Sequence, residues 1–173
     1  RELAGILQER GISHICWTHI GDGPLLEPVK DMIIQNGIPD GEEPATSIVF
    51  NFTGAMPHNK VMEYYQTHYT DLFVQASRSE GIPVSIMEAL SYGTPVIATN
   101  VGGVAELLPE NCGCGKLMPK EITVQELAQN ILRRVIQIEL IGIRIKITLQ
   151  TAVIAVLQTL QEPIVKFVFG SSL

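Results

Sequence analysis

The chain of 173 residues is long enough to bury one substantial hydrophobic core, so we expect one folded domain rather than several. Its formal net charge of −6 excludes the basic surface that a nucleic-acid-binding domain needs. Three cysteines, Cys16, Cys112 and Cys114, are too few and too poorly spaced for a disulfide framework or a zinc site, and they favour a reduced cytoplasmic compartment.

Predicted strands and helices alternate along the chain. Residues 3–10 have a helical pattern, and residues 39–45 form a polar loop. Apolar runs bounded by glycine, proline or polar residues predict strands at residues 14–20, 47–53, 71–76, 94–99 and 115–118. Helices are predicted at residues 25–35, 59–68, 83–90 and 123–134, with a short one near Val104. The alternation predicts an α/β fold with a doubly wound parallel sheet.

The pattern changes beyond residue 135. Residues 141–147 alternate like a strand, whereas residues 147–161 carry no charge and are too short and too polar to span a bilayer. We therefore divide the chain into a domain at residues 1–135 and an atypical apolar tail of uncertain structure at residues 136–173. A shifted reading frame or cloning-derived end is one explanation of the tail, and a peripheral membrane contact is the other.

One segment, residues 77–90, sets two carboxylates around a Gly-Ile-Pro turn. Pro83 fits the first turn of a helix, because its missing N–H would be unpaired there in any case. The free N–H groups of Val84, Ser85 and Ile86, together with the helix dipole, suit a phosphate group. Glu80 and Glu88 lie on either side of them, and carboxylates accept hydrogen bonds from sugar hydroxyls. The order acid, amides, acid predicts a nucleotide sugar as the ligand.

Four motifs resemble, in the same order, those of the retaining glycosyltransferases of family 4. The segment at residues 77–99 resembles their two-glutamate signature, and the turns at residues 20–25, 52–57 and 101–106 resemble their Gly-x-Gly-Pro turn, the strand and loop beside the base, and the Gly-Gly-x-x-Glu turn. The similarity extends from about residue 1 to about residue 132. It implies a Rossmann-like domain equivalent to the carboxy-terminal, donor-binding half of a GT-B fold.

The resemblance implies a role for each matching residue. Glu80 would be the catalytic residue that contacts the hydroxyls of the donor sugar, and Glu88 would hold the ribose hydroxyls. Two glycines would let the backbone approach the phosphates, residues 56–58 would border the base, and residues 81–84 would lie along the sugar and diphosphate. These further donor-binding residues are Gly21, Gly23, Met56, Pro57, His58, Gly81, Ile82, Pro83 and Val84.

The resemblance also implies a reaction and its partners. A UDP- or GDP-linked donor would transfer its sugar, with retention of configuration, to a polysaccharide or glycolipid acceptor. No metal ion or other cofactor would be required. The partner would be the amino-terminal acceptor domain of the same enzyme, with no nucleic acid. We expect a cytoplasmic location, with peripheral contact at the inner face of the membrane as an option.

The start of the chain bears on what it can do alone. It begins inside a predicted helix, so we expect that the first strand of the sheet is missing. In the family that region carries a basic pair, for which Lys60 and Arg78 are the nearest candidates here. We expect the isolated chain to bind its donor weakly and to be inactive.

A pair of carboxylates also occurs in the sites of other classes of protein. A glycosidase places its pair across one bond, whereas Glu80 and Glu88 flank a helix start. A nucleotide-sugar epimerase of the same fold, or a non-catalytic nucleotide-sugar-binding module, would bind the same ligand in the same crevice. Both stay open as alternatives, although the Glu-Gly-Ile-Pro run favours the transferase.

Overall fold

The computed structural model of the chain describes residues 14–35, 47–139 and 146–150. The strands are β1 (His14–Ile20), β2 (Ser47–Phe52), β3 (Leu72–Gln75), β4 (Val96–Thr99), β5 (Gly115–Met118) and β6 (Lys146–Gln150). The helices are α1 (Leu26–Gln35), α2 (His58–Thr67), α3 (Val84–Ser91), α4 (Val104–Leu107) and α5 (Val124–Glu139). The helix predicted at residues 3–10 and the loop predicted at residues 39–45 lie outside the described residues.

The strands form a six-stranded sheet in the order β2-β1-β6-β3-β4-β5. Every pair of neighbouring strands is parallel. Parallel strands that are covered on both faces are apolar along their whole length, which is why Leu72, Phe73 and Val74 are all fully buried in β3. The predicted α/β fold with a doubly wound parallel sheet is confirmed.

Helices cover both faces of the sheet. On one face, α5 packs its Leu127 and Ile131 against Trp17 of β1 and Leu72 of β3. On the other face, α2, α3 and α4 pack against Phe73, the next residue of β3. Successive strand residues point to opposite faces, so a single strand supplies both cores. This arrangement leaves the carboxyl ends of the strands as the edge where ligands bind in such sheets.

The segment after α5 differs from the prediction. Residues 136–139 continue α5, so the predicted boundary at residue 135 falls inside a helix. The strand predicted at residues 141–147 lies mostly outside the described residues, and the structure has β6 at Lys146–Gln150. It lies between β1 and β3 and pairs with both. A doubly wound sheet of order 3-2-1-4-5-6 gives this central position to its first strand, which we expected to be missing. The division into domains stays a prediction.

The start of α5 has the predicted capping box. Thr123 Oγ1 accepts from the Glu126 N–H at 3.2 Å, and Glu126 Oε2 accepts from the Thr123 N–H at 2.9 Å. These reciprocal bonds satisfy two N–H groups that the helix start would otherwise leave unpaired. The hydrogen bond from the Thr123 backbone holds the pKa of Glu126 below its usual value. None of the helices in the described ranges combines the length and the apolar composition that crossing a membrane requires.

The prediction for the cysteines was wrong in one respect. Cys112 and Cys114 form a disulfide, with Cα atoms 5.1 Å apart, in the turn that leads into β5. The number and spacing of the three cysteines had argued against a disulfide framework, but the turn around Gly113, with φ of 68°, brings these two side chains together. Cys16 is a free thiol in β1.

His19, near the end of β1, gives the fold a pH dependence. Its ring is 3% exposed, and Nδ1 has no hydrogen-bond partner among the described residues. Burial lowers the pKa of His19 below 6.5. As the pH falls through about 6.5, His19 takes up a proton in the unfolded chain but stays neutral in the folded chain. The free energy of unfolding therefore falls.

We expect His19→Asn to remove part of this acid destabilisation. The free energy of unfolding is measured in urea between pH 7 and pH 5. Its decrease with falling pH should be smaller in the variant than in the native chain, by up to about 1.4 kcal/mol per pH unit. Equal slopes for the native chain and His19→Asn would contradict the prediction.

Candidate functional site

The predicted donor-binding residues follow the carboxyl ends of three strands. Gly21 and Gly23 come after β1, residues 56–58 come after β2, and residues 80–84 come after β3. In a parallel sheet these strand ends meet at one edge, which is the edge where ligands bind. The structure therefore brings these predicted residues together, and Glu88 joins them from α3.

The start of α3 is open. Pro83 is the N-cap of the helix rather than part of its first turn, with extended backbone (φ −74°, ψ 116°). Its carbonyl accepts from the Ile86 and Met87 N–H groups at 3.2 and 3.4 Å. The prediction of three free N–H groups was wrong for Ile86, because a residue in the N-cap position begins the helical hydrogen bonding with its own C=O.

Two N–H groups remain available at this helix start. Those of Val84 and Ser85 donate to no acceptor in the part of the chain that the structure describes. No side chain caps the helix, and Val84 is 56% exposed. Two uncapped amides at the positive end of a helix dipole suit a phosphate oxygen.

Two buried side chains hold the Glu80 carboxylate by hydrogen bonds. Its Oε1 accepts from Gln75 Nε2 at 2.7 Å and from the Ser77 hydroxyl. Gln75 and Ser77 are both buried, at the end of β3 and just beyond it. The Ser77 carbonyl in turn accepts from the Thr99 hydroxyl, at the end of β4, at 2.6 Å. The half-buried carboxylate is thus fixed in position before any ligand is bound.

The loop that carries Glu80 is clamped by the Gly102-Gly103 turn. Gly103 N–H donates to the Gly81 carbonyl at 2.7 Å. A Cβ at Gly102 would lie 1.9 Å from the Glu80 carbonyl oxygen, so only glycine lets the two backbones approach this closely. The structure gives this turn a role in shaping the site.

Glu88 contacts His58. Its carboxylate Oε1 lies 2.7 Å from His58 Nδ1, and its side chain is 11% exposed, against 70% for His58. Burial raises the pKa of the neighbouring Tyr65, and the Glu88 charge adds to the shift. The residue predicted to hold the ribose therefore meets one predicted to border the base.

The remaining predicted residues lie near the carboxyl ends of β1 and β2. Gly21 N–H donates to the Gly54 carbonyl at 2.9 Å, which ties the end of β1 to the loop after β2. Gly23 N–H donates to the Asp22 carboxylate at 2.7 Å. Met56 packs against the core below, and Pro57 is the N-cap of α2. Contact of these residues with a donor stays a prediction.

Lys60 and Arg78 are the predicted candidates for the basic pair, and Arg78 is exposed in the loop before Glu80. Lys60 pairs with Glu63 at 2.6 Å along α2. The side chains of Gln75, Ser77 and Ser85 link Glu80 to α3, and the sequence did not predict these roles. An amide at the end of an apolar strand was the available signal, because a buried polar group needs hydrogen-bond partners.

Comparisons with known proteins agree with the geometry. The profile of the family described as "Glycosyl transferases group 1" matches residues 15–138. A Bacillus subtilis protein named as a teichuronic acid biosynthesis glycosyltransferase is 37% identical over 114 residues, which are 66% of this chain and 24% of that protein. The amylovoran biosynthesis glycosyltransferase of Erwinia amylovora is 30% identical over 138 residues, which are 76% of this chain and 31% of that protein.

A plant relative is named for the group that it transfers. The sulfoquinovosyl transferase of Arabidopsis thaliana is 33% identical over 92 residues, which are 53% of this chain and 15% of that protein. No solved structure gives a significant match. The chain spans between 15% and 31% of the length of these three relatives. Because the family profile covers more than half of the chain, the chain belongs to the group 1 glycosyl transferases.

Proposed function

We propose that the chain is the donor-binding half of a retaining family 4 glycosyltransferase. It would bind a UDP- or GDP-linked sugar, which the whole enzyme transfers to a polysaccharide or glycolipid. The observation that carries the proposal is the pair of uncapped amides at Val84 and Ser85, with Glu80 before them and Glu88 after them.

The arrangement suggests how such a donor would lie. The diphosphate would accept from the two amides, which offer preorganised dipoles where charge develops on the leaving group. Glu80 would accept hydrogen bonds from the sugar and Glu88 from the ribose, because an ionised carboxylate is purely an acceptor. The base would lie near Met56, Pro57 and His58, and the backbone at Gly21 and Gly23 would border the phosphates.

The partners follow from the same proposal. We expect an amino-terminal acceptor domain to complete the active site, and no metal ion or further cofactor to be required. Relatives are named for the biosynthesis of teichuronic acid and amylovoran, which supports a polysaccharide acceptor. Another is named a phosphatidylinositol N-acetylglucosaminyltransferase subunit, which supports a glycolipid acceptor. We expect the enzyme to act in the cytoplasm, with peripheral contact at the inner face of the membrane as an option.

Replacing Glu88 with alanine tests the proposed ribose contact. A hydrogen bond to a charged group contributes about 1.5–3 kcal/mol, so UDP or GDP should bind at least about tenfold more weakly to the variant in calorimetry. The loss should be smaller for the corresponding 2′-deoxynucleotide, which lacks one of the two hydroxyls.

Glu110→Ala, which removes an exposed carboxylate before β5, is the matched control and should leave the affinity unchanged. Unchanged UDP and GDP affinities in Glu88→Ala would reject the ribose role. Failure of the native chain to bind either nucleotide, even within the full-length enzyme, would reject the proposed function.

A further inference from the structure

Gln75 joins two parts of the site that the sequence keeps apart. It lies at the end of β3 and is 3% exposed. Its Nε2 donates to Glu80 Oε1 at 2.7 Å, and its Oε1 accepts from the Ser85 hydroxyl at 2.8 Å. One buried amide therefore connects the acid in the loop to the first turn of α3.

The chemistry of the three side chains fixes the orientation of this amide. Glu80, when ionised, can only accept, so the NH₂ group of Gln75 must face it. The carbonyl oxygen of Gln75 then faces Ser85, whose hydroxyl must donate. Reversing the amide would place two acceptors against each other at Glu80, and buried polar groups without partners are costly.

The same contacts leave one carboxylate oxygen unused. The hydrogen bonds that Gln75 and Ser77 donate to Glu80 both end on Oε1. Oε2 accepts no hydrogen bond from the residues that the structure describes. The protein therefore holds the half-buried carboxylate through Oε1, and Oε2 is available to accept from a ligand.

We propose that Gln75 is a positioning residue for Glu80. It holds Oε1 so that Oε2 faces the donor sugar, and through Ser85 it fixes this orientation relative to the amides that would bind the diphosphate. The inference rests on the proposed function, and it concerns the sugar end of the ligand alone. Removing Gln75 should therefore affect sugar transfer and leave binding of the nucleoside diphosphate intact.

A double-mutant cycle in the full-length enzyme tests this coupling. Gln75→Met keeps the approximate size of the side chain but removes its hydrogen bonds to Glu80, Ser77 and Ser85. It should lower kcat with the nucleotide sugar by at least about tenfold, because a small misplacement of a reacting group is costly. Its affinity for UDP or GDP should stay within about twofold of the native value. In the Glu80→Ala background, which has no acceptor for Gln75, the same substitution should change kcat by less than about twofold.

A second variant gives a readout that loss of packing would not produce. Gln75→Glu keeps the acceptor for Ser85 but places a carboxylate against Glu80, and two carboxylates this close disfavour ionising together. At lower pH the introduced carboxyl group is protonated and can donate as the amide did. The ratio of variant to native kcat should therefore rise as the pH falls. Gln66→Met, on the exposed surface of α2, is the matched control and should retain native kinetics.

The outcomes separate this inference from the proposed function. If Gln75→Met lowers kcat equally with and without Glu80, or not at all, Gln75 does not act through Glu80 and the inference is overturned. If the methionine variant does not fold, a kcat ratio for Gln75→Glu that is independent of pH overturns it instead. If Glu80→Ala itself leaves transfer unchanged, the proposed function fails together with the inference.

Discussion

Replacing Gly102 with alanine should abolish most donor binding and transfer. The residue has φ of 53°, which costs an L-residue about 1–2 kcal/mol. Its new methyl group would lie 1.9 Å from the Glu80 carbonyl oxygen and 2.8 Å from that of Gly81. Overpacking of this kind adds about 1–3 kcal/mol, and here it can be relieved only by moving backbone.

The movement would occur in the loop that carries Glu80. A displacement of about 1 Å at a reacting group can cost about 100-fold in rate, so we expect a loss of at least that size in kcat/KM for the nucleotide sugar. The measurements are the steady-state kinetics of the full-length enzyme and the urea unfolding of the same variant. The value of kcat/KM should fall by much more than the fraction of folded enzyme does.

Gly93→Ala is the matched control for Gly102→Ala. Gly93 has φ of 72°, a similar left-handed conformation, but nothing lies within 4 Å of a Cβ built there. This variant should lose stability by about 1–2 kcal/mol and keep the native donor affinity. Equal donor affinities in the two variants would show that the Gly102-Gly103 turn does not clamp the Glu80 loop.

Replacing Glu80 with alanine should have the largest effect on chemistry. Its carboxylate is fixed by Gln75 and Ser77 before the ligand arrives, so it would act as a preorganised group in the transition state. Removing such a group costs about 100- to 1,000-fold in kcat. Because Glu80 would contact the sugar and not the nucleotide, calorimetric affinity for UDP or GDP should change by less than about threefold.

The control and product analysis for Glu80→Ala distinguish the alternatives. Glu110→Ala removes an exposed carboxylate elsewhere and should leave turnover unchanged. Equal losses of transfer and nucleotide affinity in Glu80→Ala would mean that Glu80 is only structural. In the native enzyme, interconversion of donor sugars without an acceptor would indicate an epimerase. Tight donor binding without turnover would indicate a non-catalytic binding module.

Most elements of the fold were predictable because their signals are local. Apolar runs such as residues 72–74 are bounded by polar or turn residues, and Thr123 with Glu126 has the spacing of a capping box. Local patterns failed where one conformational choice decided the outcome. Pro83 is compatible both with the first helical turn and with the N-cap, and its extended ψ of 116° makes it the N-cap.

Long-range contacts in the site could not be predicted in this way. His58 and Glu88 lie 30 residues apart, and their contact depends on how α2 and α3 pack on the sheet. The use of Gly102 became clear only when its distance to Glu80 was known, because a Gly-Gly pair is equally consistent with a simple flexible turn. The Cys112–Cys114 disulfide likewise depends on the backbone at Gly113.

The sequence by itself determined the alternation of strands and helices, the parallel class of the sheet, and the presence of two acids around a helix start. Each of these follows from hydrophobic periodicity and turn chemistry over a few neighbouring residues. Tertiary structure alone decided that β6 lies between β1 and β3, and that Gln75 holds Glu80 while His58 meets Glu88. Strand order and side-chain pairing depend on which distant segments share a core, and no local pattern specifies that choice.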